Sequence, residues 1–197
     1  MHRCYGDEGF ELARLAERLR PDAVVVGSRG LSGARAVLGS VSDAAVHYSP
    51  APVLVVPQPL LAEECSAASE GPVLVGHDGS AGGERALSTA ATLFAGRRVT
   101  VATVGADAPA EGQLVGVDGA AVETVCVEPR GMLESGRAVA DALAACAADD
   151  GAAVIVIGSR GQSARREMLL GSVAMAVLHH AHRPVLVVPD PERFGTA

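Results

Sequence analysis

The sequence predicts an α/β protein with an open, mostly parallel, Rossmann-like sheet. Short unbroken apolar runs alternate with amphipathic helical patterns, and such runs are typical of parallel strands that are buried on both faces. Glycine-rich turns follow several of these runs, and a long internal repeat carries the same order of elements twice. Alternating strands and helices favour a parallel sheet with right-handed crossovers.

Length and composition limit the function classes. The chain has 197 residues, which at about 150 residues per domain corresponds to roughly 1.3 domains. The net charge is −7, all 16 basic residues are arginine, and aromatic residues make up 3%. A chain without a basic stripe or aromatic stacking platforms is not expected to bind nucleic acid.

The sequence also contains no apolar segment typical of a membrane-spanning helix or a signal peptide. No apolar run reaches the roughly 18 residues that a membrane-spanning helix requires. The first ten residues contain no apolar core of a signal peptide. We therefore expect a cytoplasmic protein without a membrane partner.

An internal repeat explains the fractional domain count. Residues 21–57 and 151–189 share the segments GSRG, LGSV and PVLVVP. The repeat predicts a truncated half-domain at residues 1–57, a linker at 58–71, a complete domain at 72–189 and a tail at 190–197. We refer to residues 1–57 as the half-domain and to residues 72–189 as the C-terminal domain.

The half-domain is predicted to contain two helices and two strands. Its first helix has apolar residues at helical spacing, which we expect to face inward; they are Phe10, Leu12, Leu15, Ala16 and Leu19. A strand at Ala23–Val26 follows, then a helix near Ser40, whose hydroxyl would cap it, and a final PVLVV strand.

The C-terminal domain has the same elements, preceded by three further strands. The predicted elements are strands at Pro72–Gly76, Val99–Val104, Val122–Val127 and Ala153–Ile157, a helix at Gly83–Phe94, a helix containing Val139, Ala140, Leu143 and Ala147, a helix from Ser172, and a last PVLVV strand. The segment Gly105–Ala121 has no clean period. The expected strand order is 3-2-1-4-5, and the last strands of the two repeats, Val53–Val56 and Val185–Val188, would pair antiparallel.

Candidate site residues follow strands one and four of the C-terminal domain. Ligands of open α/β sheets bind beyond the carboxyl ends of the strands that flank the switch point. Glycines allow a close approach to an anion, and a helix N-terminus offers free amides and a positive dipole end. After strand four, Gly158, Ser159, Gly161, Gly171 and Ser172 together resemble a phosphate cradle, and Arg160 would add positive charge to a polyphosphate. Asp78, followed by Gly79 and Ser80 after strand one, would accept a hydrogen bond from a ribose, orient the base or assist a metal ion.

The alternative interpretation is a set of structural turns, since glycines often follow strands for that reason alone. The spacing G-x2-G-x9-G-S is more specific than an isolated glycine pair, although it is neither a Walker loop nor a GxGxxG fingerprint. We therefore favour nucleotide binding in the C-terminal domain. The half-domain has one residue fewer between Gly30 and Gly39 and no strand one, so we expect it to be a packing module that binds no nucleotide.

The segments VLVGHDGS, GSRG, LLGSV and PVLVV resemble those of the universal stress protein family, in a tandem form with a truncated first domain. The resemblance implies that Gly158, Gly161, Gly171 and Ser172 hold phosphates and ribose, with Ser159, Arg160 and Val173 as neighbours. It also implies that Asp78 contacts the nucleotide and that Val104 lies near the adenine. Independently of the resemblance, we expect Mg²⁺ to accompany the nucleotide, with Asp78 as the residue that would assist it. The short Gly105–Ala121 segment departs from the family pattern, which places a helix there.

The leading hypothesis is a cytoplasmic stress-response protein that binds ATP or another adenine nucleotide for regulation, with slow hydrolysis at most. One alternative is a dimerisation or scaffold module of the same fold without nucleotide. A second is an adenylating or phosphotransfer enzyme, but the sequence has no lysine to serve such catalysis. We also expect a homo-oligomer, because the apolar strand Ala23–Val26 would lie at an open sheet edge.

Overall fold

A computed structural model describes residues 7–28, 38–60, 62–104, 122–128, 136–161 and 170–194. The helices are α1 (Glu8–Leu19), α2 (Ser40–Tyr48), α3 (Ala62–Glu70), α4 (Ala81–Leu93), α5 (Gly136–Asp149) and α6 (Ser172–His180). The strands are β1 (Val24–Gly27), β2 (Val53–Val56), β3 (Val73–Gly76), β4 (Val99–Val104), β5 (Val122–Val127), β6 (Val154–Gly158) and β7 (Val185–Val188), and a 3₁₀ turn spans Pro191–Phe194.

The seven strands form one sheet in the order β1-β2-β7-β6-β3-β4-β5. All neighbouring pairs are parallel except β2 and β7, which run antiparallel with Leu54 opposite Leu186. The predicted α/β fold with a mostly parallel sheet is confirmed. Within the C-terminal domain the strands lie in the order β5-β4-β3-β6-β7, which corresponds to 3-2-1-4-5 in that domain's own numbering.

The core consists of valine-rich strands covered by alanine-rich helix faces. The three valine and leucine residues of β3 are fully buried, as is Ile155 of β6. Helix α4 packs on one face of β3 and β6, and α5 lies over β4, β5 and β6. Small alanines such as Ala86, Ala90 and Ala140 let these helices approach the sheet closely.

The predicted inward face of α1 is confirmed for Ala16, which is buried, and for Leu12, which packs against the core, but it is wrong for Phe10 and Leu19. Phe10 and Leu19 are exposed, while Ala13 and Ala16 are buried. Helix α1 packs mainly on α2, and the contact is so close that a β-carbon on Gly9 would clash with the methyl group of Ala44. The close helix–helix contact therefore uses the small residues and leaves two large ones outside.

Two segments differ in detail from the sequence prediction. The predicted linker at residues 58–71 contains α3, whose alanines and glutamates are good helix formers. Helices α2 and α6 have Gly39 and Gly171 as N-caps, without a side-chain cap bond. Ser40 and Ser172 are thus the first helical residues and do not cap, because their backbone has already entered the helix. The segment Gly105–Ala121 lies entirely outside the described residues.

Within the described ranges, none of the helices has the length and apolar character needed to cross a membrane.

We predict that the inner face of α4 contributes strongly to stability, whereas its outer face does not. Leu87→Ala should lower the free energy of unfolding by about 3 kcal/mol, because Leu87 is buried against the sheet. The neighbouring residue Ser88 is exposed and provides a matched control. Ser88→Ala should change the free energy of unfolding by less than about 0.5 kcal/mol. Urea unfolding of both variants measures the difference, and equal effects would contradict the assigned helix orientation.

Candidate functional site

The candidate site lies where β3 and β6 end side by side. The two strands are parallel, with Val73 opposite Val154, so their carboxyl ends reach the same edge of the sheet. From there β3 leads through α4 to β4 on one side, and β6 leads through α6 to β7 on the other. This is the switch point of an open α/β sheet, as the sequence predicts.

Backbone packing at this point leaves no room for side chains. A β-carbon on Gly82, in the first turn of α4, would clash with the carbonyl oxygen of Arg160. A β-carbon on Gly158 would lie 2.7 Å from the backbone of Gly82, closer than real contacts allow. These glycines therefore let the start of α4 rest directly on the turn after β6.

Asp78 lies across this turn. Its Oδ1 accepts a hydrogen bond from the backbone amide of Ser80 at 3.1 Å, and its Oδ2 occupies the space that a β-carbon on Gly161 would need. Strand β3 thus supplies a carboxylate that faces the glycine turn of β6.

The backbone of Ser159 fixes the turn, but its hydroxyl is unused. The Ser159 amide donates to the carbonyl of Val188 at 2.8 Å, and its carbonyl accepts from the amide of Gly171 at 2.8 Å. The residue is 2% exposed, and among the described residues its Oγ is buried without a hydrogen-bond partner. Buried hydroxyls are nearly always paired, so Ser159 is a candidate donor to a group outside the protein.

The half-domain offers a direct comparison. Ser28, the repeat equivalent of Ser159, makes matching backbone bonds to Val56 and Gly39 at 2.7 and 2.9 Å. Its Oγ, however, accepts from the amide of Gln58 at 3.2 Å. The two serines therefore make the same backbone bonds, and within the described part of the chain the hydroxyl of Ser28 has a partner whereas that of Ser159 has none. Gly30 of the half-domain motif lies outside the described residues.

Arg160 belongs to a charge network at the rim of the site. Its Nη1 lies 3.3 Å from Oδ2 of Asp190, and Nη2 of Arg85 lies 3.3 Å from Oδ1 of the same carboxylate. Asp190 is largely buried and also accepts from the amide of Glu192. The carboxylate of Asp190 thus partly balances the positive charge of Arg160. The sequence predicts residues 190–197 as a tail and gives no reason to expect this contact.

These elements enclose a cavity of about 200 Å³ with one polar and one apolar end. The predicted site residues that line it are Asp78, Val104, Gly158, Ser159, Arg160, Gly161, Gly171, Ser172 and Val173. The cavity has further lining residues that the motifs do not indicate, namely Gly76, His77, Gly83, Ala102, Val139, Leu143, Ile157 and Ala174. The apolar spacing places Val139, Leu143 and Ile157 in the core, because one apolar pattern fits both a core and a cavity wall.

Gly79 and Ser80, two predicted site residues, do not line the cavity in this structure. Gly79 has φ +75°, a conformation that favours glycine in a turn. Ser80 is the N-cap of α4, and its Oγ accepts a hydrogen bond from the amide of Gly83 at 3.1 Å.

His77 lines the cavity with both ring nitrogens engaged. Nδ1 accepts from the amide of Gly79 at 3.2 Å, and Nε2 lies 3.2 Å from Oε1 of Glu84. This arrangement assigns the ring hydrogen of neutral His77 to Nε2. The position of His77 directly after a strand and before Asp78 is the sequence signal that could have identified it.

A second surface depression, between β5 and α5, is organised by ion pairs. Arg98 bridges Asp150 and Glu123, and the hydrogen bond to Asp150 raises the pKa of the Arg98 guanidinium. Burial, followed by the charges of Asp150 and Asp149, raises the pKa of the Cys146 thiol. Among the described residues no three His, Cys, Asp or Glu side chains are grouped to hold a metal ion.

The fold and the cavity define a class: an α/β protein with a doubly wound, mostly parallel sheet and a ligand-sized cleft at its switch point. A sequence model of the universal stress protein family matches residues 1–57 and 127–189. The chain belongs to the universal stress protein family.

Individual relatives agree with this assignment. A universal stress protein of Mycobacterium tuberculosis strain H37Rv is 34% identical over 201 residues, which cover 84% of this chain and 61% of the relative. The chain thus spans about three fifths of the length of that relative. The crystal structure of a universal stress protein from Archaeoglobus fulgidus DSM 4304 matches with a TM-score of 0.67 and 26% identity, over 92% of this chain and 66% of the other.

We predict that Ser80 acts on the stability of α4 through its cap. Ser80→Ala should lower the free energy of unfolding by about 1 kcal/mol, because the amide of Gly83 loses its partner. Ser80→Asp keeps a cap acceptor and should retain most of that stability. Denaturant unfolding compares the variants, and equal losses for alanine and aspartate would rule out the capping role.

Proposed function

We propose that the C-terminal domain binds ATP or a related adenine nucleotide in the cavity between β3 and β6, and that binding is regulatory. The observation that carries the proposal is the buried, unpaired hydroxyl of Ser159. It lies in a glycine turn, at the cavity wall and next to the start of α6. A phosphate oxygen would accept the hydrogen bond that Ser159 does not make within the protein.

The polar end of the cavity suits phosphates. Helix α6 starts there without a side-chain cap, so its first amides remain available for an anion, and the dipole favours negative charge. The glycine turn from Gly158 to Gly161 would allow phosphate oxygens to approach the backbone. Arg160 at the rim would add a guanidinium, which it shares with Asp190.

The apolar end suits a base. Val104 of β4, Leu143 of α5 and Ile157 of β6 line it together with Val139 and Val173. Ligand pockets are typically apolar with a few converging polar groups, and this cavity has that division. The family resemblance, which places Val104 near the adenine, agrees with this orientation.

A magnesium ion would enter with the nucleotide. Mg²⁺ usually binds through one or two carboxylates, water and substrate phosphates, without a dedicated protein cage. Asp78, facing the glycine turn, would be its protein ligand.

Regulation is favoured over catalysis because the titratable groups of the cavity are engaged. Both nitrogens of His77 have partners, and Asp78 accepts from the amide of Ser80. A general base must reach and accept the proton of the attacking group; Asp78 is the candidate for that role, but it is partly committed to the amide of Ser80 and is proposed above as the Mg²⁺ ligand. We therefore propose slow hydrolysis at most, and a cytoplasmic protein whose turn after β6 responds to occupancy of the site.

A non-nucleotide scaffold role is the second candidate. The antiparallel pairing of β2 with β7, which joins the half-domain to the C-terminal domain in one sheet, favours it, because such pairing is a means of assembly. In this case the cavity would remain without a nucleotide, and the ligand experiment below separates the two functions.

We predict that adenine nucleotides stabilise the protein and that Gly161→Val abolishes the effect. At one hundred times its Kd a ligand adds about 2.7 kcal/mol, a rise of roughly 5–10 °C in Tm. The valine side chain would occupy the space that Asp78 takes beside the turn. Thermal-shift assays with ATP, ADP, AMP and cyclic AMP measure the change in Tm for the unaltered protein and for Gly161→Val.

The repeat supplies a matched control for this experiment. Gly30→Val alters the equivalent glycine of the half-domain, which we propose not to bind nucleotide, so the ATP shift should persist. No shift in the unaltered protein with any of the four nucleotides would support the scaffold function instead. A shift that survives Gly161→Val would place the nucleotide elsewhere.

We predict opposite effects of Ser159→Ala on stability and on binding. Removal of an unpaired buried hydroxyl should leave the ligand-free protein equally stable or more stable, while ATP binds about three- to tenfold more weakly. Ser28→Ala, which removes a paired hydroxyl, should lower stability slightly and leave ATP affinity unchanged. Urea unfolding and calorimetric titration test both, and unaltered affinity in Ser159→Ala would exclude the hydroxyl as a ligand.

A further inference from the structure

Asp190 lies beside the candidate site and contacts two arginines. Strands β6 and β7 run parallel with Gly158 opposite Val188, so Arg160 and Asp190, which follow these strands, leave the sheet side by side. Oδ2 of Asp190 lies 3.3 Å from Nη1 of Arg160, and its Oδ1 lies 3.3 Å from Nη2 of Arg85. One carboxylate therefore faces two guanidinium groups at the rim of the cavity.

The contacts of Asp190 are long for bonds between charged groups. Charge-assisted N–H···O bonds usually measure about 2.7–2.9 Å, whereas both arginine contacts and the bond from the amide of Glu192 measure 3.3 Å. Within the described part of the chain, Nε of Arg85 is buried without a hydrogen-bond partner. The two arginines thus hold more donors than Asp190 satisfies, and a second anion could take some of them at little cost.

The ion pair of Arg160 with Asp190 is also poorly accessible to water. The two side chains are 16% and 12% exposed, respectively, and charges that are largely buried are screened less than charges at the surface. A phosphate that reaches Arg160 would therefore feel both the attraction of the guanidinium and the repulsion of the carboxylate.

The repeat provides an independent observation. The segment PVLVVP is followed by Asp190 in the C-terminal domain and by the neutral Gln58 in the half-domain. Arg85 belongs to α4, which has no counterpart in the described part of the half-domain. The carboxylate thus accompanies the turn that we propose to bind phosphates, and an uncharged residue replaces it beside the turn of the other repeat.

We propose, on the basis of the nucleotide binding argued above, that Asp190 makes the site distinguish ATP from AMP. With the base at the apolar end, the outer phosphates of ATP reach Arg160 at the rim and displace Asp190 from its guanidinium. The single phosphate of AMP stays at the glycine turn and leaves the ion pair in place. Asp190 therefore lowers the affinity for ATP, chiefly by competition for Arg160, and has little effect on AMP.

The test compares ATP and AMP affinities of the full chain by calorimetric titration. Asp190→Asn keeps the size of the side chain and an acceptor for the amide of Glu192 but removes the charge. ATP should bind about three- to tenfold more tightly to this variant, while AMP affinity should change by less than about twofold. Asp190→Glu retains the charge and should keep the unaltered ratio of the two affinities.

A double variant tests whether Arg160 is the contested group. In the background of Arg160→Gln, Asp190→Asn should raise ATP affinity by less than about twofold, because the guanidinium for which Asp190 competes is absent. The Tm of each ligand-free variant verifies that it folds.

A second measurement needs no variant. The backbone amide of Glu192 donates to Oδ1 of Asp190, so its NMR resonance in the unaltered protein should shift on addition of ATP and remain in place with AMP.

The outcomes separate this proposal from the one on which it depends. Equal changes of ATP and AMP affinity in Asp190→Asn, a full gain in the double variant, or an equal response of the Glu192 resonance to both nucleotides would overturn the role of Asp190 and leave nucleotide binding intact. Failure of the unaltered protein to bind either nucleotide would overturn both.

Discussion

The parallel pairing of β3 with β6 is the interaction on which the candidate site depends. It brings the carboxylate of Asp78 over the glycine turn of Gly161 and places the start of α4 on the turn after β6. The approach requires glycine at positions 82 and 158, because any side chain there would meet backbone. The half-domain carries the same GSRG segment, but among the described strands β1 has β2 as its one neighbour, so no described strand takes the place of β3 there.

Similar repeat sequences consequently acquire different chemistry. Ser28 and Ser159 make the same backbone bonds, yet one hydroxyl is paired and the other is buried without a partner. Val25 and Val156 occupy equivalent strand positions, yet one is open and the other is fully enclosed. In each case the neighbouring element determines whether the side chain is paired or buried. A repeated motif therefore fixes a backbone conformation, and the residues packed around it determine what that conformation can bind.

The strands could be predicted to within one residue because unbroken apolar runs between glycine and proline turns have few alternatives. The exposure of Phe10 and Leu19 on α1 could not be predicted in this way. Helix α1 contacts α2 so closely that glycine and alanine lie at the interface and these two larger side chains remain outside it. At the site, spacing alone identified the glycine turn and Asp78. It could not reveal Asp190 or the apolar wall of Leu143, because those residues reach the site only through packing of distant segments.

The charge network at the rim links the candidate site to the rest of the sheet. Asp190 follows β7 and holds both Arg160 of the glycine turn and Arg85 of α4. A phosphate at the turn would compete with Asp190 for the Arg160 guanidinium, whose several donors can be divided between two anions. Because the opposite edge of β7 carries β2, a change at Asp190 would arise beside the strand pair that joins the two repeats. The cavity and the junction of the two repeats are therefore adjacent, and the regulatory binding proposed above would act through Asp190.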